Sequence, residues 1–352
     1  MLRSLTIALL ALAGLAAALV VGNLARHTAF WFADEEVTIP AGDFTLAGTF
    51  LAPDGSPPYP AVLMLHGSGP ERRGDPGTHA TANALLRNGL AVLMYDKRGT
   101  GASGGSFDEA LYADFIDDAL AALDYLVSRA DVDPSGIGLH TVSESGWFGP
   151  EIAVRDGRVA FLFTKVGCPL SWIETVAWEA RNDYVADGVP ASEVDRLVDL
   201  AQRRWSYVID AAADPALASG ARRDALNREI AALRPSVPCA LDAITPSLPD
   251  WDAGYYRSLA ADWSYDPRPW LEGLEIPQYY TYGGRDVNVP TEDCVAYLDA
   301  LVARTGRDIT VQVFPEAGHS LFHWTGLLQQ GFVPGYLDAV GRWSAEQAAV
   351  RE

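Results

Sequence analysis

The chain has 352 residues, 49% of them apolar, with 26 basic against 46 acidic side chains and a net charge of −20. That length and composition suit a large buried core, built as one sizeable domain with an insertion or as two domains. So negative a surface repels phosphate backbones, which speaks against nucleic acid as a partner.

In chain order, Arg3 is followed by Leu5 to Gly22, a run without a charge and with Thr6 as its one polar side chain. This is the pattern of export. The run is longer than a usual signal-peptide core and approaches bilayer-spanning length, and the nearest small-x-small site, Asn23-Leu24-Ala25, is a poor one. The expectation is an uncleaved membrane anchor over residues 1–28, with the remainder outside the cytoplasm. A removed signal peptide, leaving a secreted or periplasmic protein, is the alternative.

Glu36 to Pro40 and Phe44 to Ala52 alternate as the strands of a hairpin around Gly42-Asp43. Ala61 to Leu65 and Leu90 to Tyr95 are continuous apolar runs of strand length, as in strands buried on both faces. Ala80 to Arg87 between them reads as helix. Gly99, Gly101 and Gly104 satisfy the dinucleotide spacing G-x-G-x-x-G after a strand. Charged residues intervene between strand and glycines, the motif is not in the first βαβ unit, and no acid ends a next strand, so no nucleotide cofactor is expected. Phe107 to Arg129 carries apolar residues at helical spacing. Val159 to Val166 is a further strand, and strands alternating with helices predict a parallel sheet covered on both sides.

From residue 169 to 274 strand-like runs disappear and helical periodicity dominates, with Trp172, Trp178, Trp205, Trp251, Trp263 and Trp270. The sheet resumes at Gln278 to Tyr282 and ends with Ile309 to Phe314, before a closing helix from Pro334 to Ala349. The domain boundaries are therefore 29–168 for the first part of an α/β core, 169–274 for a helical insertion and 275–352 for the rest of the core. Cys168, Cys239 and Cys294 show no metal pattern. They read as buried free thiols, and if one disulfide forms, Cys168 with Cys239 is the favoured pair. The only lysines are Lys97 and Lys165, from which no function is read.

Chemistry concentrates in Ile137 to Pro150, I-G-L-H-T-V-S-E-S-G-W-F-G-P. A short apolar run meets a small-residue turn and then helix-compatible sequence, which lifts Ser143 above a sheet edge at a helix N-terminus. The stretch resembles the nucleophile elbow of the α/β-hydrolase superfamily, G-x-S-x-G, with Thr141 and Ser145 at the glycine positions and Gly146 next. Tyr282-Gly283-Gly284-Arg285-Asp286 resembles that superfamily's acid loop, and Phe314-Pro315-Glu316-Ala317-Gly318-His319 its histidine loop. The order Ser143, Asp286, His319 is the hydrolase order. D-x-R-G-x-G-x-S around Gly99 resembles a mostly structural loop of the same superfamily, and the 169–274 segment stands where its cap is inserted.

The resemblance implies an α/β-hydrolase fold, a mostly parallel twisted sheet with helices on both faces and a helical cap. It implies a serine hydrolase without metal or organic cofactor. Ser143 would attack, His319 would act as base and then acid, and Asp286 would fix the imidazole tautomer. Two backbone N–H groups, of Ser68 and Glu144, would form the oxyanion hole. His66 is expected to order its own turn, His140 to be a core histidine, and His323 and Ser145 not to replace His319 and Ser143. An apolar cap favours a small carboxylic ester as substrate. The turn His66-Gly67-Ser68-Gly69-Pro70 also resembles serine aminopeptidases and prolyl-oligopeptidase relatives, so a short peptide or amide is the alternative. A catalytically silent binding protein is the reading from another class.

Overall fold

The computed structural model describes residues 2–27, 32–217, 220–233, 247–249, 252–324 and 331–349. The first helix is α1 (Leu2–His27), with Leu10, Leu12, Leu15 and Leu19 exposed. Among the described residues no helix is long and apolar enough to cross a membrane.

A hairpin of β1 (Ala33–Ala41) and β2 (Phe44–Ala52) follows, paired antiparallel so that Val37 faces Gly48. Then come β3 (Tyr59–Met64), α2 (Pro76–Leu86), β4 (Ala91–Tyr95), α3 (Tyr112–Ser128), β5 (Val132–Val142), α4 (Ser145–Arg155) and β6 (Phe161–Lys165). The strands join in one eight-stranded sheet, order β1-β2-β4-β3-β5-β6 and then the last two strands of the chain. β2 meets β4 antiparallel, and from β4 onward every pairing is parallel.

The apolar runs are continuous because alternate residues feed two cores. Ala61, Leu63, Ala91 and Leu93 point to the face covered by α3 and α4, while Val62, Met64, Val92 and Met94 point to the face covered by α2. Side chains of opposite strand parity thus leave water on opposite sides. α3 begins at Tyr112 rather than near Phe107, because Asp114 accepts the Leu111 N–H at 2.9 Å and fixes the start there.

After β6 the chain leaves the sheet for α5 (Trp172–Ala186), α6 (Ala191–Ala213), α7 (Gly220–Leu233), α8 (Ala253–Trp263) and α9 (Arg268–Gly273). α5, α6 and α8 enclose a separate core around the buried Tyr184, Trp205, Tyr207 and Tyr256. Trp172 stacks on Trp263 with centroids 5.5 Å apart and meets Trp205 edge-on at 5.3 Å, so these rings are packing groups. Trp251 lies outside the described residues.

The sheet closes with β7 (Gln278–Gly283), α10 (Thr291–Thr305), β8 (Ile309–Phe314) and α11 (Tyr336–Ala349). α11 packs with α2 on one face; α10 joins α3 and α4 on the other. Cys168 and Cys294 are free and buried, with their Sγ atoms 3.1 Å apart. Cys168 therefore has Cys294 as its sulfur neighbour; Cys239, the partner favoured from the sequence, lies outside the described residues.

Candidate active site

The end of β5 runs into Ser143 at φ 50°, one of the few non-glycine residues with a positive φ. A side chain in that region costs roughly 1–3 kcal/mol and persists only where its surroundings fix it. Here the Ser143 N–H donates to the Lys165 carbonyl at 2.9 Å, and the Ser143 carbonyl accepts the Gly146 N–H at 2.8 Å. Sheet and helix thereby hold the turn from both sides.

The two departures from the glycine pattern have physical explanations. The Ser145 hydroxyl accepts the Val142 N–H at 2.8 Å and lies 3.1 Å from the Val142 carbonyl, so it ties down the turn instead of crowding it. The Thr141 hydroxyl donates to Thr164 Oγ1 at 2.9 Å, within the sheet interior. The demand for a bare backbone has moved to Gly146, where an added Cβ would come within 2.4 Å of Gly167 Cα. Glycine is needed where α4 meets the loop after β6.

The acid and histidine loops converge on this turn. The Ser143 hydroxyl lies 2.9 Å from His319 Nε2, and His319 Nδ1 lies 2.8 Å and 3.1 Å from the two carboxylate oxygens of Asp286. Asp286 is buried, and its Oδ1 also accepts the N–H groups of Asn288 at 2.8 Å and Val289 at 2.9 Å. With the imidazole N–H as a third donor, the carboxylate is held in one orientation. The geometry thus brings together all three side chains singled out from the sequence.

Ser68 and Glu144 both line the cavity of about 300 Å³ that opens on Ser143 and His319. In the same turn the Gly67 N–H is occupied, donating to Glu71 Oε2 at 2.8 Å. Beneath it lies a residue to which the sequence reading gave no role. Lys97 is buried and donates to the carbonyls of Gly67 at 3.0 Å and Gly69 at 3.3 Å, and to the Glu144 carboxylate at 2.6 Å. One ammonium group thus fastens the Gly67 turn to the residue after Ser143. Burial pushes the Glu144 carboxyl up, and Lys97 opposes the shift.

The loop Asp96 to Gly104 is folded around the Asp96 carboxylate. Asp96 accepts the N–H groups of Arg73 at 3.1 Å and Ala102 at 3.0 Å, and a Cβ on Gly101 would strike its carboxylate at 2.2 Å. His66 donates from Nε2 to the Tyr95 carbonyl at 2.5 Å, and burial lowers its pKa to about 4. Its bond runs to the end of β4, not within its own turn. His140 is buried against Phe163, with a pKa lowered to about 3 by desolvation and then by Lys165. His323 lies beyond the site, with its N–H bonded to the Gly331 carbonyl at 2.7 Å.

The insertion contributes differently from the expectation. From it, Thr175 and Glu179 of α5 line the Ser143 cavity, and the apolar wall comes instead from Trp147, Val166 and Val289. α5 is tied to the acid loop by Asn182, which donates to the Val287 carbonyl at 2.8 Å, and by Asn288, which donates to Glu179 at 2.6 Å. Trp172, Trp205 and Trp263 of the insertion pack on one another instead of facing the cavity. Among the described residues no group of three or more His, Cys, Asp or Glu is arranged to hold a metal.

Known proteins resemble this chain in sequence and in fold. The profile of the family described as X-Pro dipeptidyl-peptidase (S15 family) matches residues 42–235. Esterase EstD of Thermotoga maritima is 25% identical over 327 residues, 89% of this chain and 67% of that protein. YcjY of Escherichia coli, an uncharacterized protein, is 27% identical over 38% of this chain and 44% of its own length. Among solved structures, Est1E of Butyrivibrio proteoclasticus with ferulic acid bound superposes with a TM-score of 0.55 at 18% identity, over 89% of this chain and 99% of that one. The acylaminoacyl peptidase of Pyrococcus horikoshii gives 0.51 at 12% identity, over 85% of this chain and 39% of that one. These two likenesses are of fold.

Proposed function

The chain belongs to the X-Pro dipeptidyl-peptidase (S15) family, serine hydrolases of the α/β-hydrolase fold, and from that premise we propose that it cleaves a small carboxylic ester through an acyl-enzyme on Ser143. The observation that carries this reading is the relay from Ser143 through His319 to Asp286, at 2.9 Å and 2.8 Å, on a strained turn.

A serine hydroxyl is a weak nucleophile until a base takes its proton. His319 Nε2 is placed to accept it, and Asp286 stabilises the imidazolium that results. The ester carbonyl carbon bonds to Ser143 Oγ, and the negative charge passes to the carbonyl oxygen, which the N–H groups of Ser68 and Glu144 receive. Each such donor is worth about 3 to 4 kcal/mol. Collapse expels the alcohol, which takes the proton from His319. Water then attacks the acyl-enzyme with His319 again as base, releasing the acid and free Ser143.

Ester is preferred because a relative aligned along 89% of the chain is an esterase. Peptide or amide cleavage is the second reading, favoured by the family description and by the Glu179 carboxylate at the cavity wall, which suits a substrate ammonium group. Export to the outer side of a membrane by the N-terminal segment is part of the proposal, supported by the uncharged run from Leu5 to Gly22.

The test is hydrolysis of a p-nitrophenyl ester series beside aminoacyl p-nitroanilides, by the wild type and by Ser143→Ala. Turnover of esters that Ser143→Ala lacks is the expected result, and turnover of anilides alone would replace the ester reading with the peptide one. A folded wild type inert to both would point to a binding protein.

A further inference from the structure

We propose that a second cavity beside Ser143 binds a carboxylate carried by the substrate, with Lys165 as its counter-ion, so that the preferred esters are acidic ones. This rests on the reading of Ser143 as nucleophile. The cavity has a volume of about 450 Å³ and shares Glu71, Val142, Lys165 and Ser320 with the one that opens on Ser143. A group held in it therefore lies next to the reacting centre.

Its polar lining has a cation to spare. Both of its carboxylates are already engaged by backbone: Glu71 accepts the Gly67 N–H at 2.8 Å, and Asp75 accepts the N–H groups of Gly77 at 2.7 Å and Thr78 at 3.2 Å. Lys165 is different. It lies over the Phe332 ring, 4.9 Å from the centroid, and among the described residues no carboxylate comes within ion-pair distance of its Nζ. Burial lowers its pKa to about 8, against the more distant pull of Glu71 and Asp75. His140 and Arg73 also line this cavity, but both are engaged elsewhere: His140 Nε2 lies 3.2 Å from the Tyr336 hydroxyl, and Arg73 pairs with Glu36 at 2.7 Å.

A buried charge is costly unless it is matched, so a cation at a cavity wall with no carboxylate at ion-pair distance among the described residues can be matched by an anion from outside. A carboxylate supplies two oxygens and one negative charge, matching one unpaired ammonium. Met64, Leu65 and Met94 line the same cavity and suit a short carbon stem. The carboxylate can sit on the acyl side, as in a half-ester of a dicarboxylic acid, or on the alcohol side.

Two kinetic comparisons separate those sources. 4-Nitrophenyl hydrogen glutarate is set against 4-nitrophenyl valerate, and 4-acetoxybenzoate against its methyl ester. In one of them the acidic substrate should exceed its neutral partner in kcat/KM by about tenfold or more, a single charge-assisted contact's worth. That ratio should fall to about one in Lys165→Met and largely survive in Lys165→Arg. Wild-type preference for the neutral substrate in both comparisons overturns the proposal, as does a ratio unmoved in Lys165→Met. Calorimetric titration with glutarate is independent of turnover: binding to the wild type that Lys165→Met loses supports the site, and no binding to the wild type overturns it. If neutral and acidic esters alike resist hydrolysis, the ester reading fails, and the titration still decides the anion site.

Discussion

Lys97 and Lys165 are the only lysines of the chain, and they border Ser143 from two regions of opposite character. Lys97 sits in a saturated region, where its ammonium meets a carboxylate and two carbonyls and binds the Gly67 turn to the elbow. Lys165 sits at the wall of an open cavity with aromatic rings around it and Glu71 and Asp75 committed to backbone donors. A buried charge that is fully matched belongs to the scaffold; one left unmatched beside a cavity is available to a ligand. The contrast separates what holds the site from what the site holds.

The largest expected effect breaks the saturated side. Lys97→Met leaves the Glu144 carboxylate buried without its partner, and removing one member of such a pair costs about 3–5 kcal/mol. Urea unfolding of Lys97→Met should show that loss, and adding Glu144→Gln in the same chain should recover part of it. An unchanged midpoint would mean that Lys97 does not hold the turn.

Next in size is the response to acid. His66 and His140 have folded-state pKa values lowered to about 4 and about 3, against about 6.5 when unfolded. Between those values and about 6.5 the unfolded chain binds more protons than the folded one, so stability falls as pH falls through that window. The slope approaches about 1.4 kcal/mol per pH unit for each histidine. It is read from unfolding midpoints at pH 7, 6 and 5. Because Lys165 is one cause of the lowered His140 value, Lys165→Met should raise that pKa, which is read from the His140 imidazole resonance titrated by NMR below pH 5. An unmoved titration would contradict the coupling.

The smallest expected effect completes the comparison. Lys165→Met removes a cation without an ion pair and should change the unfolding free energy at pH 7 by less than about 1 kcal/mol, or raise it. A loss as large as that of Lys97→Met would show Lys165 to be part of the scaffold.

Much of the fold was legible in the sequence because its signals are local. Ala61 to Leu65 and Leu90 to Tyr95 are apolar throughout because both faces of the sheet are covered, and a strand so placed has no polar side to show. Ser143, Asp286 and His319 each follow a strand, so recognising the strands also located the three residues. The two lysines were visible as rare residues, yet their roles depend on what distant loops bring to them, which no local pattern records. The same holds for the insertion. Its tryptophans advertised burial but not direction, and Trp172, Trp205 and Trp263 turned inward while Thr175 and Glu179 reached the cavity. Ser145 stands at a glycine position of the elbow pattern, and its bond to the Val142 N–H, a feature of the folded turn alone, is not legible there.

The central claim, that Ser143 is a nucleophile activated by His319, is tested most directly by a fluorophosphonate probe followed by peptide mass spectrometry. The account predicts one adduct per chain, on Ser143, absent from Ser143→Ala and strongly slowed in His319→Ala. A folded wild type that takes up no probe, or takes it up at another serine, would contradict it.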